Sequence, residues 1–271
     1  MTQLPSGRTR VLGIVGDPVV QVGAPAIWTA LFRDQGLDAV CVPAHVRPED
    51  LAQFLAGAAR WQNLDGLIVT IPHKITAATL ATELSTRADR VGAVNVLRPD
   101  GASGWTGDIL DGVGLVAALT SDGRPLRDRR ALVVGSGGVG TAVAHALGES
   151  GVADLAVSDL DPARALTLAR RLTQLGYPAH VAEPVAAGFD VVVNCSPAGM
   201  RAEDDLPIDL DGTGPGTTVA DAVAHPPVTR LLRLARERGC WVVPGGRMMH
   251  AQVPDQAEFF GYGRLHTPDR G

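Results

Sequence analysis

Lys74 is the only lysine among the 24 lysines and arginines of this chain. Arginine stays charged at any working pH, whereas a lysine ammonium can release its proton when its surroundings favour the neutral amine. A position that keeps lysine against so strong an arginine bias points to proton transfer. A lysine left by chance on the surface is the plain alternative, and the neighbours decide between the two. Lys74 ends the run Val69-Thr70-Ile71-Pro72-His73-Lys74. Adjacent residues on an extended segment point to opposite sides, so His73 reads as a packed or surface histidine rather than a partner of the amine. His45, His145, His180, His225, His250 and His266 have no metal-ligand spacing, and no metal is expected.

A second chemical signature lies further along. Leu132-Val133-Val134-Gly135-Ser136-Gly137-Gly138-Val139-Gly140 places G-x-G-x-x-G between an apolar run and a helical pattern. There Gly135 permits the tight turn, Gly137 admits backbone amides to a pyrophosphate, and Gly140 lets the helix lie close on the strand. Gly138 and Val139 open that helix, whose N-terminus favours phosphate. The next apolar run, Ala156-Val157-Ser158, ends at Asp159. A carboxylate at this spacing accepts both ribose hydroxyls of adenosine and repels a 2′-phosphate, so NAD is expected in preference to NADP. Leu160 rather than an arginine follows Asp159, although Arg164 lies within a helical turn. The bland reading makes Asp159 a helix N-cap, a role that Asp161 before Pro162 can fill instead. Asn194-Cys195-Ser196-Pro197-Ala198-Gly199-Met200 follows another apolar run. A polar loop at the carboxyl end of such a strand faces a cofactor crevice, with Asn194, Ser196 and Met200 as candidate contacts; a simple Pro-Gly turn is the alternative.

These groups need a scaffold. Apolar runs at 11–15, 39–43, 66–71, 93–97 and 104–106 alternate with helical patterns over 24–36, 48–60 and 75–83. Residues 108–120 read as a helix and 121–130 as a polar, Arg-rich junction, after which a second α/β block begins at Ala131 and ends in a helical stretch over 247–260. This rhythm means parallel or mixed sheets with helices on their faces. Apolar residues make up 45% and charged residues 20%, the balance of a globular protein with a sizeable core. The net charge of −5 argues against nucleic acid, which needs a basic stripe, and against an anionic membrane. No apolar run reaches the ~18 residues of a membrane-crossing helix, and residues 1–10 lack the apolar stretch of a signal peptide. Cys41, Cys195 and Cys240 are odd in number and far apart, which fits reduced thiols in a cytoplasm. A small-molecule substrate and a monomer or homodimer are expected.

Separated motifs then occur in one order. Residues 69–74 resemble the V-T-x-P-x-K of the shikimate and quinate dehydrogenases, Gly92-Ala93-Val94-Asn95 their G-A-x-N, and Asp108-Ile109-Leu110-Asp111-Gly112 their D-N-T-D-G. The loop at 194–200 resembles N-A-T-P-x-G-M, and Met248-Met249-His250-Ala251-Gln252 resembles M-L-x-x-Q. The resemblance spans nearly the whole chain. It implies an α/β fold of two domains: an N-terminal α/β substrate domain over residues 1–112 completed by 247–271, and a Rossmann dinucleotide-binding domain over 113–246. The active site would lie in the cleft. Lys74 and Asp111 would be the catalytic pair, the lysine taking a hydroxyl proton as hydride leaves the carbinol carbon for nicotinamide and returning it in the reverse direction. Asn95 and Gln252 would hydrogen-bond ring hydroxyls, and Thr70 would line the same pocket.

The chain departs from that pattern in one region. In the frame Gly16-Asp17-Pro18-Val19-Val20-Gln21-Val22-Gly23-Ala24-Pro25, Val22 and Ala24 stand where the family's S-x-S-P serines hold a substrate carboxylate. Ile109 and Leu110 replace the Asn and Thr of D-N-T-D-G, Val96 replaces a threonine, and Ala224 a tyrosine. The catalytic half is kept and the carboxylate-binding half is lost. A less polar or differently anchored cyclic alcohol is therefore expected, with Gln21 or a backbone amide as the remaining carboxylate donor if shikimate is the substrate. Two other readings compete. A non-catalytic NAD-binding sensor or scaffold would need neither Lys74 nor Asp111. A protein of the methylene-tetrahydrofolate dehydrogenase kind also pairs a lysine with a Rossmann domain, but fits residues 69–74 and Gln252 less well.

Overall fold

The computed structural model describes residues 4–265, so His266 lies outside the described residues. The chain forms two compact units, one holding the described residues through Leu110 and those from Val253 onward, the other Asp111–Gln252. The chain therefore crosses between units at Leu110/Asp111 and at Gln252/Val253, a few residues from the boundaries that the motifs suggest. The polar stretch 121–130 is not a junction. It lies inside the second unit because the helix before it packs Leu115, Ala118 and Leu119 into the same core as Val133 and Val143.

In the first unit, β1 (Arg10–Gly16), β2 (Ala39–His45) and β3 (Leu64–Val69) run parallel, joined by α1 (Ala24–Asp34) and α2 (Leu51–Ala58). A 3-10 turn at Pro48–Asp50 precedes α2, so the helix proper starts later than the proline suggests. Then come α3 (Lys74–Leu80), β4 (Glu83–Leu84), α4 (Thr86–Val91), β5 (Val96–Pro99) and β6 (Trp105–Asp108), giving the strand order β2-β1-β3-β5-β6-β4. The helical pattern over 75–83 stops at Leu80, because residues 83–84 pair with β6. Helix α4 carries no long apolar stripe. It is set by its cap, where the Ser85 hydroxyl accepts the Ala88 amide at 3.1 Å. The helix expected from Asp108 starts only at Asp111, since Asp108 completes β6. Buried Asp108 accepts two hydrogen bonds from Arg87, at 2.8 and 2.6 Å, and one from the Ile109 amide at 2.7 Å.

The helical stretch over 247–260 is two helices, Gly245–Ala251 in the second unit and Val253–Phe260 in the first. Pro254 explains the break: it has no amide to donate and is tolerated only in a first turn. The second of these helices lays Phe260 where Gly66 has no side chain. Phe260 meets Trp28 edge-on at 6.0 Å, and Tyr262 meets Phe32 at 4.9 Å. The Tyr262 hydroxyl donates to Asp65 at 2.6 Å, and Arg10 grips the same carboxylate. Burial first, and then Asp65, raise the Tyr262 pKa. Tyr262→Phe is expected to cost about 1.5–3 kcal/mol, the worth of a hydrogen bond to a charged group, read as a lower urea midpoint at unchanged slope. An unchanged midpoint would mean that this clasp contributes nothing.

The second unit opens with α5 (Asp111–Thr120) and continues β7 (Arg130–Val134), α6 (Gly138–Glu149), β8 (Asp154–Ser158), α7 (Pro162–Gln174), β9 (Ala179–Val181), β10 (Val191–Asn194), β11 (Thr218–Asp221), α8 (Arg230–Glu237), β12 (Trp241–Val243) and α9 (Gly245–Ala251). All strand pairs are parallel, in the order β12-β11-β10-β7-β8-β9. Alternate residues serve opposite faces. Ala131, Val133, Leu155, Val157, Val191 and Val193 share a core with α5, α6 and α7. Leu132, Val134, Ala156, Val192 and Val219 share another with α8. Burial on both faces is why these strands read as continuous apolar runs. No helix among the described residues is long and apolar enough to cross a membrane.

Candidate functional site

The polar residues of the first unit gather at the carboxyl ends of β1 and β3. The Thr70 amide donates to the Val15 carbonyl at 3.0 Å and the Asp17 amide to Ile71 at 3.0 Å, so the chain leaving β3 stays paired with the chain leaving β1. His73 is buried, and its Nε2 donates to the Val46 carbonyl at 2.7 Å. It is a packed residue that pins the turn before α3. Lys74, half-buried, is the first residue of α3, and its carbonyl accepts the Val94 amide at 2.9 Å. Next to Val94, Asn95 is 2% exposed; its backbone bonds Val69 and Asp108, and its Oδ1 accepts the Leu110 amide at 2.8 Å. Thr70, Lys74 and Asn95 are thus held by adjoining backbone hydrogen bonds. Val22 is partly buried and Ala24 buried, at the start of α1, whose N-cap Gly23 offers no side chain. Gln21 Nε2 donates to the Pro18 carbonyl at 3.0 Å, closing its own turn.

In the second unit, buried Asp111 begins α5 and buried Gln252 follows α9. These two helices touch closely because Gly114 has no side chain: a Cβ there would lie 2.7 Å from Gln252 Cβ and 2.8 Å from the Met248 carbonyl oxygen. The glycine turn follows β7. Gly135 has φ +101°, and a Cβ on it would lie 2.8 Å from both the Cys195 carbonyl carbon and the Ser196 amide nitrogen. A Cβ on Gly140 would strike the Gly135 carbonyl oxygen. Val139 packs on the core, and α6 begins at Gly138 with Gly137 as an N-cap that makes no side-chain bond. The Ser136 hydroxyl is buried with no hydrogen-bond partner among the described residues. An open helix N-terminus, a turn that only glycine can make, and an orphaned hydroxyl fit a dinucleotide phosphate.

Asp159 closes this turn from β8. Its Oδ2 accepts the Ser136 amide at 2.6 Å and its Oδ1 the Asp161 amide at 3.0 Å. Asp161 is the N-cap of α7, accepting the Ala163 amide at 2.9 Å. Leu160 is fully exposed, and Arg164 Nη2 would lie 3.8 Å from a Cβ on Gly137. The loop after β10 packs beside the glycine turn at the point where the strand order reverses. Asn194 is fully buried; its Oδ1 accepts the Ser196 amide at 3.0 Å and the Ser196 hydroxyl at 2.7 Å, while Nδ2 donates to the Ala198 carbonyl at 3.0 Å. Asp204 accepts the amides of Arg201 at 3.0 Å and Gly199 at 2.9 Å, which hold its pKa low. Met200 is 44% exposed at the end of this loop. Sequence reasoning missed Asp221, which bonds Asn194 Nδ2 at 3.0 Å. The available signal was a carboxylate ending an otherwise apolar strand. Burial pushes its pKa up to about 6, against the hydrogen bonds from Thr229, the Val223 amide and Asn194.

A parallel sheet in this order, with a side-chain-free turn at its switch point, defines a dinucleotide-binding protein of the Rossmann type. Residues 14–97 match the family described as shikimate dehydrogenase substrate binding domain. The shikimate dehydrogenase (NADP(+)) of Rubrobacter xylanophilus is 37% identical over 249 residues, 90% of this chain and 87% of that protein. That of Acidiphilium cryptum is 35% identical over 259 residues, 94% and 92%. Among solved structures, quinate dehydrogenase from Corynebacterium glutamicum in complex with NAD is 32% identical with a TM-score of 0.83, covering 95% of each chain. Shikimate 5-dehydrogenase from Thermus thermophilus with NADP(H) and shikimate is 27% identical with a TM-score of 0.86, again covering 95% of each. The chain belongs to the shikimate and quinate dehydrogenase family.

Proposed function

We propose that this protein is an NAD-preferring dehydrogenase that oxidises, reversibly, a ring hydroxyl of a cyclic polyol not anchored by side-chain hydroxyls at positions 22 and 24. The observation that carries the reading is the contrast within one unit. Lys74 is tied by its backbone to the segment bearing Asn95, whereas residues 19–25 include no hydroxyl side chain. The nicotinamide ring, when bound, supplies the hydride acceptor and, in the reverse direction, the donor. Lys74 Nζ takes the carbinol proton and returns it on reduction. By the family pattern Asp111 completes the catalytic pair with Lys74. Thr70, Asn95 and Gln252 orient ring hydroxyls. Gly135, Gly137, Gly138, Val139 and Gly140 present backbone to the pyrophosphate, beside Ser196 and Met200.

The names of the relatives point to shikimate and NADP. The residues at 22, 24, 159 and 160 point away from both. Two hydrogen bonds to a carboxylate are worth about 1.5–3 kcal/mol each, so their loss weakens an acid about a hundredfold or more. Gln21 is engaged in its own turn and is a poor substitute. Asp159 brings negative charge to the adenosine end, and no cation follows it directly.

One matrix of measurements tests both points: initial rates with NAD and with NADP against shikimate, quinate and carboxylate-free cyclohexane polyols. Expected are a kcat/KM for NAD at least about tenfold above NADP, and a polyol turned over at least as efficiently as shikimate. A low, ordinary KM for shikimate overturns the altered pocket. A preference for NADP overturns the role given to Asp159.

A further inference from the structure

One buried carboxylate sets the loop after β10. Asp221, with no exposed surface, ends β11 in register with Asn194 at the end of β10. Its Oδ1 accepts Asn194 Nδ2 and the Val223 amide, each at 3.0 Å, and its Oδ2 accepts the Thr229 hydroxyl at 2.7 Å. The carboxylate offers Asn194 only an acceptor, so the Asn194 amide group must face it. A flipped Asn194 would put its oxygen against Asp221 and its amide group against the Ser196 amide, two like contacts. Asp221 therefore dictates which end of Asn194 holds Ser196, and hence the course of residues 195–198. That loop lies directly against Gly135.

We infer that Asp221 is a positioning residue for the cofactor: acting through Asn194, it fixes the loop 195–199 against the glycine turn and so sets affinity for the nicotinamide dinucleotide. The inference rests on the dinucleotide-binding reading of this unit. Protonation of Asp221 on Oδ2 would turn the Thr229 bond around and leave the Oδ1 side unchanged. The acceptor, and not the charge, is what Asn194 requires. An asparagine at 221 can keep that acceptor toward Asn194 and face its amide group to Thr229.

The test compares three substitutions by calorimetric titration with NAD, together with KM, kcat and the urea midpoint. Asp221→Leu approximates the buried volume and removes the acceptor; it also leaves Asn194 Nδ2, the Val223 amide and the Thr229 hydroxyl without it, so the urea midpoint is expected to fall as well. It is expected to weaken NAD at least tenfold while the KM for the alcohol stays within about threefold. Asp221→Asn is expected to recover NAD affinity to within about threefold of the wild type. Thr229→Val removes only the Oδ2 bond and the cap of α8, and is expected to lower the urea midpoint with NAD affinity kept. Should Asp221→Leu not fold, Asp221→Ala, whose side chain ends short of Asn194 Nδ2, takes its place with the same expectation. NAD affinity unchanged in the leucine variant, or Asp221→Asn as weak as Asp221→Leu, overturns the inference alone. A wild-type protein that binds neither NAD nor NADP overturns the dinucleotide reading itself.

Discussion

Lys74→Met is expected to lower kcat about a thousandfold, with the KM for the alcohol and for NAD changed by less than about threefold. General acid–base groups contribute about 10²–10⁴ in rate, which sets the magnitude. Methionine keeps an unbranched side chain and a good helix propensity at the first residue of α3. The backbone bond from Val94 to the residue 74 carbonyl does not depend on the side chain. The urea midpoint should therefore stay close to that of the wild type. Lys74→Arg separates the two ways in which the lysine could act. Arginine keeps the positive charge but does not release a proton, so it should be about as inactive as methionine if Lys74 moves the proton. An arginine enzyme with more than a tenth of wild-type kcat would make the charge, rather than the proton, the important quantity. Wild-type kcat in the methionine variant would remove Lys74 from the mechanism.

Gly140→Val is expected to abolish measurable NAD binding and to cost about 1–3 kcal/mol of stability, the usual range for forced overpacking. The added Cβ would strike the Gly135 carbonyl oxygen, a backbone atom that cannot swing aside, and would also lie 3.3 Å from Cys195 Cβ. Helix α6 must then move off β7, and that movement opens the turn whose amides face the phosphates. Gly214→Ala is the matched control. It lies in the same unit, with nothing within 4 Å of a Cβ, and should cost less than about 0.5 kcal/mol. Urea unfolding and NAD titration of both variants decide the matter. A valine variant that binds NAD normally would show that the close contact of helix and turn is unnecessary.

The features legible from residue order were those with local causes. Strands β7, β8 and β10 are buried on both faces, so they announce themselves as apolar runs, and the glycine turn between β7 and α6 follows from spacing alone. Helix α4 was hidden because it has a hydroxyl cap and no long stripe. The division of the last helical stretch was written in Pro254, yet the crossing of the chain to its other unit at Val253 depends on Phe260 finding the bare surface of Gly66. The supposed junction at 121–130 failed for the opposite reason: polar composition marks a surface segment, not a boundary, and α5 before it is claimed by the core around Val133.

Residue types and short spacings settle the kind of chemistry. A lone lysine, a glycine turn after an apolar strand, and motifs in one order suffice for a dehydrogenase of this family, since each depends on residue type and short spacing. Which polar groups hold the fold together depends on contacts between distant segments. His73 is engaged by the Val46 carbonyl and Asn194 by Asp221 and the loop it orders, while Asp159 ties the glycine turn to the start of α7 by one backbone amide on each oxygen and keeps acceptor capacity on both. Asn194 and Asp221 are 27 residues apart. Their meeting is fixed by the pairing of β10 with β11, a register that no local pattern contains.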